Sequence, residues 1–232
     1  SVEHVETGHV FDITVTEFLG EESAKVRIAD RHTNIVLIEK NGQTLFEKEL
    51  EEVSEKEQAD RGLLNMQDIW EFVQTVDTED VKELLERQIQ CNSAIAEEGL
   101  LGDYGANIGS VLLRAYGSDI RTRAKAKAAA GSDARMNGCE MPVIINSGSG
   151  NQGITCSVPV IEYAKELGSG KEKLYRALLL SNLTAIHQKS EIGTLSAYCG
   201  AVSAGAGAGA GIAYLCGGGY QEIIHTVVNA LA

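Results

Sequence analysis

Between Gly200 and Gly219 the chain reads GAVSAGAGAGAGIAYLCGGG, with glycine at every second position from Gly205 to Gly211. Glycine costs a helix about 1 kcal/mol relative to alanine at each position, so a helix that repeats it needs a benefit only a missing Cβ provides. Close approach of a neighbouring backbone is one such benefit, and a helix pressed against a cofactor or substrate cavity is the other. Either places the segment as a buried helix surrounded by others. Its small side chains and glycine-rich end fit helix packing and not a lipid-facing span, so no membrane insertion is expected.

The hydrophobic period changes once along the chain. VFDITVTEF, residues 10–18, alternates and is rich in β-branched and aromatic residues, as a strand requires. LGEES supplies a turn, AKVRIA from Ala24 returns, and residues 35–39 give a third strand ended by Asn41-Gly42, a strong hairpin signal. QTLFEKE pairs back, and residues 47–61 form a charged connector. From there the apolar spacing is helical, with helices expected over 66–76, 79–99, 105–116, 120–130, 158–167, 171–189, 192–215 and 220–231. The switch of period from two to 3.6 sets the boundary. The fold class is therefore α+β: a small, mainly antiparallel sheet in residues 1–60, then an all-helical domain over 61–232 holding the buried Gly/Ala helix. One face of the sheet needs a cover.

A formal charge of −13 over 232 residues argues against a nucleic-acid surface, and 5% aromatic residues argue against base stacking. Five cysteines, an odd number in so long a chain, read as free thiols in a reducing cytoplasm, or as metal or catalytic groups for some of them, and not as a disulfide framework. Cys139 and Cys156 are 17 positions apart, as are Cys199 and Cys216, and neither pair belongs to a CxxC zinc knuckle. The chain opens at Ser1 without methionine and stops at HTVVNALA inside a helical pattern, so it is expected to be a piece of a longer protein.

Candidate chemistry concentrates in NSGSGNQG, residues 146–153. Three glycines among small hydroxyl and amide residues can form an anion-binding nest, and a helix expected from about Ile154 would add its positive end. No Gly-Lys-Ser/Thr pair is present, so this is not a phosphate loop, and a carboxylate is the better ligand. A purely structural corner is the alternative. His32, in RHTN before a strand, faces solvent or a cleft, and His187 lies four residues before Glu191, where a hydrogen-bonded pair is the plain reading.

ARMNGCEMPVIINSGSGNQGITCSVPVIEYA, followed by IGTLSAYCGAVSAGAGAGAGIAYLCGG, resembles the iron–sulfur L-serine dehydratase alpha chains, and with HTNIVLIEKNG it is most similar to their L-cysteine desulfidase-like branch. The resemblance covers most of the chain and implies that the sheet of residues 1–60 is part of an inserted domain. It implies a lyase without pyridoxal phosphate, built around a 4Fe-4S cluster, that takes L-cysteine to pyruvate, ammonia and sulfide; the alternative is L-serine to pyruvate and ammonia. It implies Cys199, in SAYCG, as one cluster ligand. The other two belong to a downstream CDGAK-and-cysteine motif absent here, so the cluster is expected in the full-length parent and not in this chain, which would then be inactive by itself. Ser147, Gly148, Ser149, Gly150 and Asn151, with His32, are the expected binding residues for a small amino-acid substrate. A homo-oligomer is compatible with the composition. A non-catalytic module for amino-acid sensing or oligomerisation, using His32 with Thr33 and Asn34, is the reading from another class.

Overall fold

The structure, a computed structural model, describes residues 1–9, 11–30, 33–50, 60–190, 192 and 200–232. It divides into two compact units, residues 1–59 and 60–232.

The first unit is an antiparallel meander of β1 (Asp12–Leu19), β2 (Glu22–Ala29), β3 (Ile35–Lys40) and β4 (Gln43–Glu47), in spatial order β1-β2-β3-β4. Asn41 and Gly42 both take positive φ, +52° and +77°, the geometry a two-residue hairpin between right-twisted strands requires. Arg27 grips Asp12 through two bonds, Nε to Oδ1 at 3.0 Å and Nη2 to Oδ2 at 2.7 Å, and holds that carboxyl below its usual range. The register sets Val15, Val26, Ile38 and Phe46 in one row across all four strands. Val15, Val26 and Phe46 of that row are exposed.

The second unit is helical: a short 3-10 turn (Arg61–Leu63), then α1 (Met66–Thr75), α2 (Glu79–Leu101), α3 (Ile108–Tyr116), α4 (Ile120–Met136), α5 (Gly150–Glu166), α6 (Lys171–Ser190), α7 (Gly200–Leu215) and α8 (Tyr220–Leu231). A small antiparallel sheet followed by a larger helical region is the architecture the change of period anticipates. Its main core gathers Ile69 and Val73 of α1, Val160 and Ile161 of α5, Leu178 and Leu180 of α6, and Ile223 of α8 around the alanines of α7. No described helix is long and apolar enough to cross a membrane.

Three helix boundaries depart from the sequence expectation. Helix α4 does not stop at Gly131 but runs to Met136. Gly131 is buried, and a Cβ there would lie 3.2 Å from Ala96 Cα and 3.3 Å from an Ile154 methyl, so this glycine serves packing and not a cap. Helix α5 starts at Gly150, not near Ile154 or Val158, and passes through Pro159. Ser149 caps it by accepting the Gln152 N–H at 3.5 Å. Helix α3 starts at Ile108, after Asn107 in the left-handed region, and Asp133 of α4 accepts the Ile108 N–H at 2.8 Å. At the start of α2, Asp77 is the capping side chain, accepting the Glu79 N–H at 3.0 Å.

Glycines in α7 form two stripes with different surroundings. A Cβ on Gly207 would come within 2.5 Å of the Ser181 carbonyl oxygen, and one on Gly211 within 2.7 Å of that of Ala177, so these two let α6 approach backbone to backbone. Gly205 would meet nothing within 4 Å. Gly207→Ala is therefore expected to lower stability by about 1–2 kcal/mol as α6 is pushed away. Gly205→Ala should raise it by about 0.5–1 kcal/mol through helix propensity alone. Paired urea denaturation curves check both signs, and a stabilising Gly207→Ala would refute the packing account.

Glu162 of α5 is buried and ties that helix to α4, accepting from Arg123 Nε at 3.2 Å and Lys127 Nζ at 2.9 Å, and from Lys165 Nζ on its own helix at 3.2 Å. Burial pushes its carboxyl up, but the bonds from Lys127 and Lys165 outweigh burial and leave it below the usual range. A folded-state value below the unfolded one gives stability that is complete above the unfolded carboxylate pKa, about 4.3. It is lost as pH falls through the lower, folded value. Glu162→Gln should cost about 2 kcal/mol near neutrality and flatten the loss of stability below about pH 4.3. Melting temperatures from pH 7 to pH 3 test this, and parallel curves for the two proteins would show that Glu162 contributes nothing to acid sensitivity.

Candidate functional site at the start of helix α5

The Gly-rich run divides into a tight turn and a helix start. Asn146 and Ser149 exchange backbone hydrogen bonds at 3.1 and 3.0 Å, and between them Ser147 and Gly148 both take positive φ, +48° and +83°. The N–H groups of Asn146 and Ser149 are thereby used within the turn. Those of Gly150 and Asn151, in the first turn of α5, have no intrahelical carbonyl to meet and lie at the positive end of the helix dipole. Ser147 Oγ donates to Asn146 Oδ1 at 2.8 Å, while Gly148 is exposed at the tip.

A network of amides fixes this turn from below. Asn92 of α2 is fully buried; its Oδ1 accepts the Ile144 N–H at 2.8 Å. Its Nδ2 lies within 3.1 Å of the carbonyls of Ile144 and Gly153 and 2.9 Å from Ser157 Oγ. Asn146 Nδ2 donates to Asn182 Oδ1 at 2.9 Å, and Asn182 exchanges two amide bonds with Gln88, at 3.0 and 2.9 Å. Gly153 makes the arrangement sterically possible, since a Cβ there would fall 2.0 Å from the Ile144 carbonyl oxygen.

Arg135, on the last turn of α4, supplies the charge. A Cβ on Gly150 would lie 2.2 Å from Arg135 Nε, so the guanidinium is laid against the start of α5, and Nη1 donates to Asn151 Oδ1 at 3.3 Å. No carboxylate is within ion-pair distance of Arg135 among the described residues. A half-buried cation, two helix-start N–H groups and the Ser149 hydroxyl together suit a carboxylate.

The start of α7 reaches the same place. A Cβ on Gly200 would lie 2.3 Å from Gln152 Nε2, so the first residue of α7 packs on the first turn of α5. Gln152 Oε1, His187 Nδ1 and both side-chain amide atoms of Gln188 are buried without a hydrogen-bond partner among the described residues. Cys199, adjacent to Gly200 in sequence, lies outside the described residues, as do His32 and Glu191, so the His187–Glu191 pair is not described either. The turn residues Ser147–Asn151 stand together. Gln88, Asn92 and Asn182 carry no motif that sequence reading could use, whereas Arg135 and Gln152 lie inside ARMNGCEMPVIINSGSGNQGITCSVPVIEYA without being singled out there.

Among the described residues no group of three His, Cys, Asp or Glu side chains is placed to hold a metal ion. Cys156 is fully buried, its thiol is pushed up to about 12 by burial, and it donates to Asn182 Oδ1 at 3.3 Å, so it serves as a small core group and not as a thiolate ligand.

The class this fold defines is an α+β protein whose helical unit is built round a Gly/Ala-rich helix. The family described as Serine dehydratase alpha chain matches residues 21–232, and the chain belongs to that family. It is 61% identical over 223 residues to a UPF0597 protein of Desulfitobacterium hafniense (strain Y51), covering 96% of this chain and 52% of the relative. A UPF0597 protein of Lachnoclostridium phytofermentans is 55% identical over 228 residues, covering 98% and 54%. One from Treponema denticola is 45% identical over 225 residues, covering 94% and 52%. The chain thus spans about half the length of these curated relatives. No solved structure matches it.

Proposed function

We propose that this chain is part of a lyase that removes the 3-substituent and the amino group of a small L-amino acid, with L-serine, converted to pyruvate and ammonia, as the substrate. The observation that carries the reading is the serine dehydratase alpha chain match over residues 21–232, laid on a chain whose Gly-rich turn ends at a helix start held under Arg135. In this reading the substrate carboxylate sits on the N–H groups of Gly150 and Asn151 and on the Arg135 guanidinium, with the Ser149 hydroxyl beside it. The reacting carbon then projects toward the start of α7. A carboxylate leaving water needs several donors at once, and this turn has them already held by the amide network.

Serine stands ahead of cysteine because the family match carries serine in its description, whereas the cysteine reading rests on HTNIV and SGSGNQG alone. The described residues do not make a cluster site on their own. The proposal therefore keeps the 4Fe-4S cluster for the full-length protein, with Cys199 as this chain's ligand and the others outside it. The sensing alternative leans on His32 and gains no observation here.

The test is anaerobic reconstitution of the full-length protein and measurement of pyruvate release from each amino acid. We expect kcat/KM for L-serine to exceed that for L-cysteine more than tenfold, about 1.4 kcal/mol of discrimination. A tenfold preference for cysteine would restore the desulfidase reading, and no pyruvate from either would sink the lyase assignment. Loss of cluster absorbance in a folded Cys199→Ser variant is the companion result, and an intact spectrum would remove Cys199 from the ligand set.

A further inference from the structure

A second hollow opens on the other glycine stripe of α7. Helices α4, α5 and α7 line an open hollow of about 420 Å³, within the range of small-molecule sites. Ala128, Pro159, Gly205 and Gly209 give it an apolar lining, and Arg121, Lys125 and Tyr163 add polar groups. None of residues 146–151 lines it, so it is separate from the turn at the start of α5.

Three features of its wall are unexplained by packing. Arg121 and Lys125 are exposed like charges one helical turn apart, a spacing that repels. Neither side chain makes a hydrogen bond or ion pair among the described residues, and the nearest acidic influence is on Arg121: the Asp119 carboxyl is held below its usual range first by the Thr122 N–H and in part by the Arg121 charge. On the same helix Arg123 and Lys127 are both paired with Glu162. Gly205 has open space where a Cβ would stand, so no neighbour requires a glycine there. Pro159 lacks the N–H that the carbonyl of Thr155, also in the wall, would meet in an uninterrupted helix.

We propose that this cavity binds a small carboxylate with a flat apolar body, an aryl-alkanoate in chemical class. The carboxylate lies between Arg121 and Lys125 and relieves their repulsion. The ring rests on the open face of Gly205, against Pro159. An uncharged molecule of the same shape would satisfy the lining but leave the two cations unneutralised, which makes charge the discriminating variable.

The experiment titrates the isotope-labelled 232-residue chain with 3-phenylpropionate and, separately, with 3-phenylpropan-1-ol, following backbone amide shifts. We expect saturable shifts at Ala128, Gly205 and Gly209, and affinity for the acid at least tenfold above that for the alcohol. In the Arg121→Gln/Lys125→Gln double variant the acid should fall to the level of the alcohol. Gly205→Leu projects into the cavity and should remove binding of both probes while melting no lower than the parent. Equal affinities for acid and alcohol, shifts confined to other residues, or full binding by Gly205→Leu would each overturn the proposal. So would a change of sedimentation on Gly205→Leu, which would mark the hollow as the seat of a second copy.

Discussion

Asn92→Leu is expected to destabilise the helical unit by about 3 kcal/mol, although leucine is close to asparagine in size and favours helix more strongly. The reason lies in what asparagine holds. Its carboxamide serves the N–H and carbonyl of Ile144, the carbonyl of Gly153 and the hydroxyl of Ser157, all inside 3.1 Å. Leucine satisfies none of these. Ser157 Oγ still donates to the Gly153 carbonyl at 2.7 Å, so that oxygen keeps a partner. The Ile144 groups do not, and an orphaned buried donor or acceptor costs about 1–3 kcal/mol. Two such groups, partly reachable by water, set the estimate. For a unit of this size the melting temperature should drop by roughly 10 °C. Circular dichroism melts and urea titrations measure it, and a loss under 1 kcal/mol would show that water replaces the amide at no cost. Asn92→Asp makes a useful companion. It keeps an acceptor for the Ile144 N–H but loses the donor, so it should rescue little.

How far this site could be read from sequence follows from which forces place its parts. The meander was legible because alternation and the Asn41-Gly42 turn are local signals, and local signals fix both register and face. The helical unit was legible for the same reason, except where a glycine stood for packing instead of chain reversal. Gly131, Gly150 and Gly153 look alike in sequence to glycines that stop helices. Their role depends on Ala96, Arg135 and the Ile144 carbonyl, each brought in from another element. Misreading Gly131 ended α4 early and hid Arg135. The Gly/Ala run posed packing against cavity as alternatives, and the two stripes divide them: Gly207 and Gly211 meet α6, while Gly205 and Gly209 line a hollow. The turn residues 147–151 were visible because glycine and serine densities are local. The amide network beneath them was not, since Gln88, Asn92 and Asn182 are ordinary polar residues until α2 and α6 bring them against the turn.

Arg135 carries the largest functional prediction. If the carboxylate of an amino acid lies on the start of α5, the guanidinium beside Gly150 is its charge partner. A charge-assisted hydrogen bond contributes about 1.5–3 kcal/mol, so Arg135→Gln in the full-length protein should raise KM for L-serine by roughly 10- to 150-fold. Asn151→Ala removes only the acceptor that Nη1 meets at 3.3 Å, so its effect should stay within a few-fold. Gly150→Ala presses on the same contact, but its methyl would also fall 2.8 Å from a Val143 methyl, so it should reproduce part of the KM increase together with some loss of stability. An Arg135→Lys variant separates charge from geometry, because lysine keeps the charge but not the planar fork that meets a carboxylate with two parallel bonds. We expect it to recover part of the lost affinity. The competing account makes Arg135 a helix-end group whose loss loosens α4 against α5. That account predicts lower stability, and a fall in kcat as the turn is disordered, for Arg135→Gln. A KM that rises at constant kcat and constant melting temperature places Arg135 on the substrate, and an unchanged KM removes it from the site.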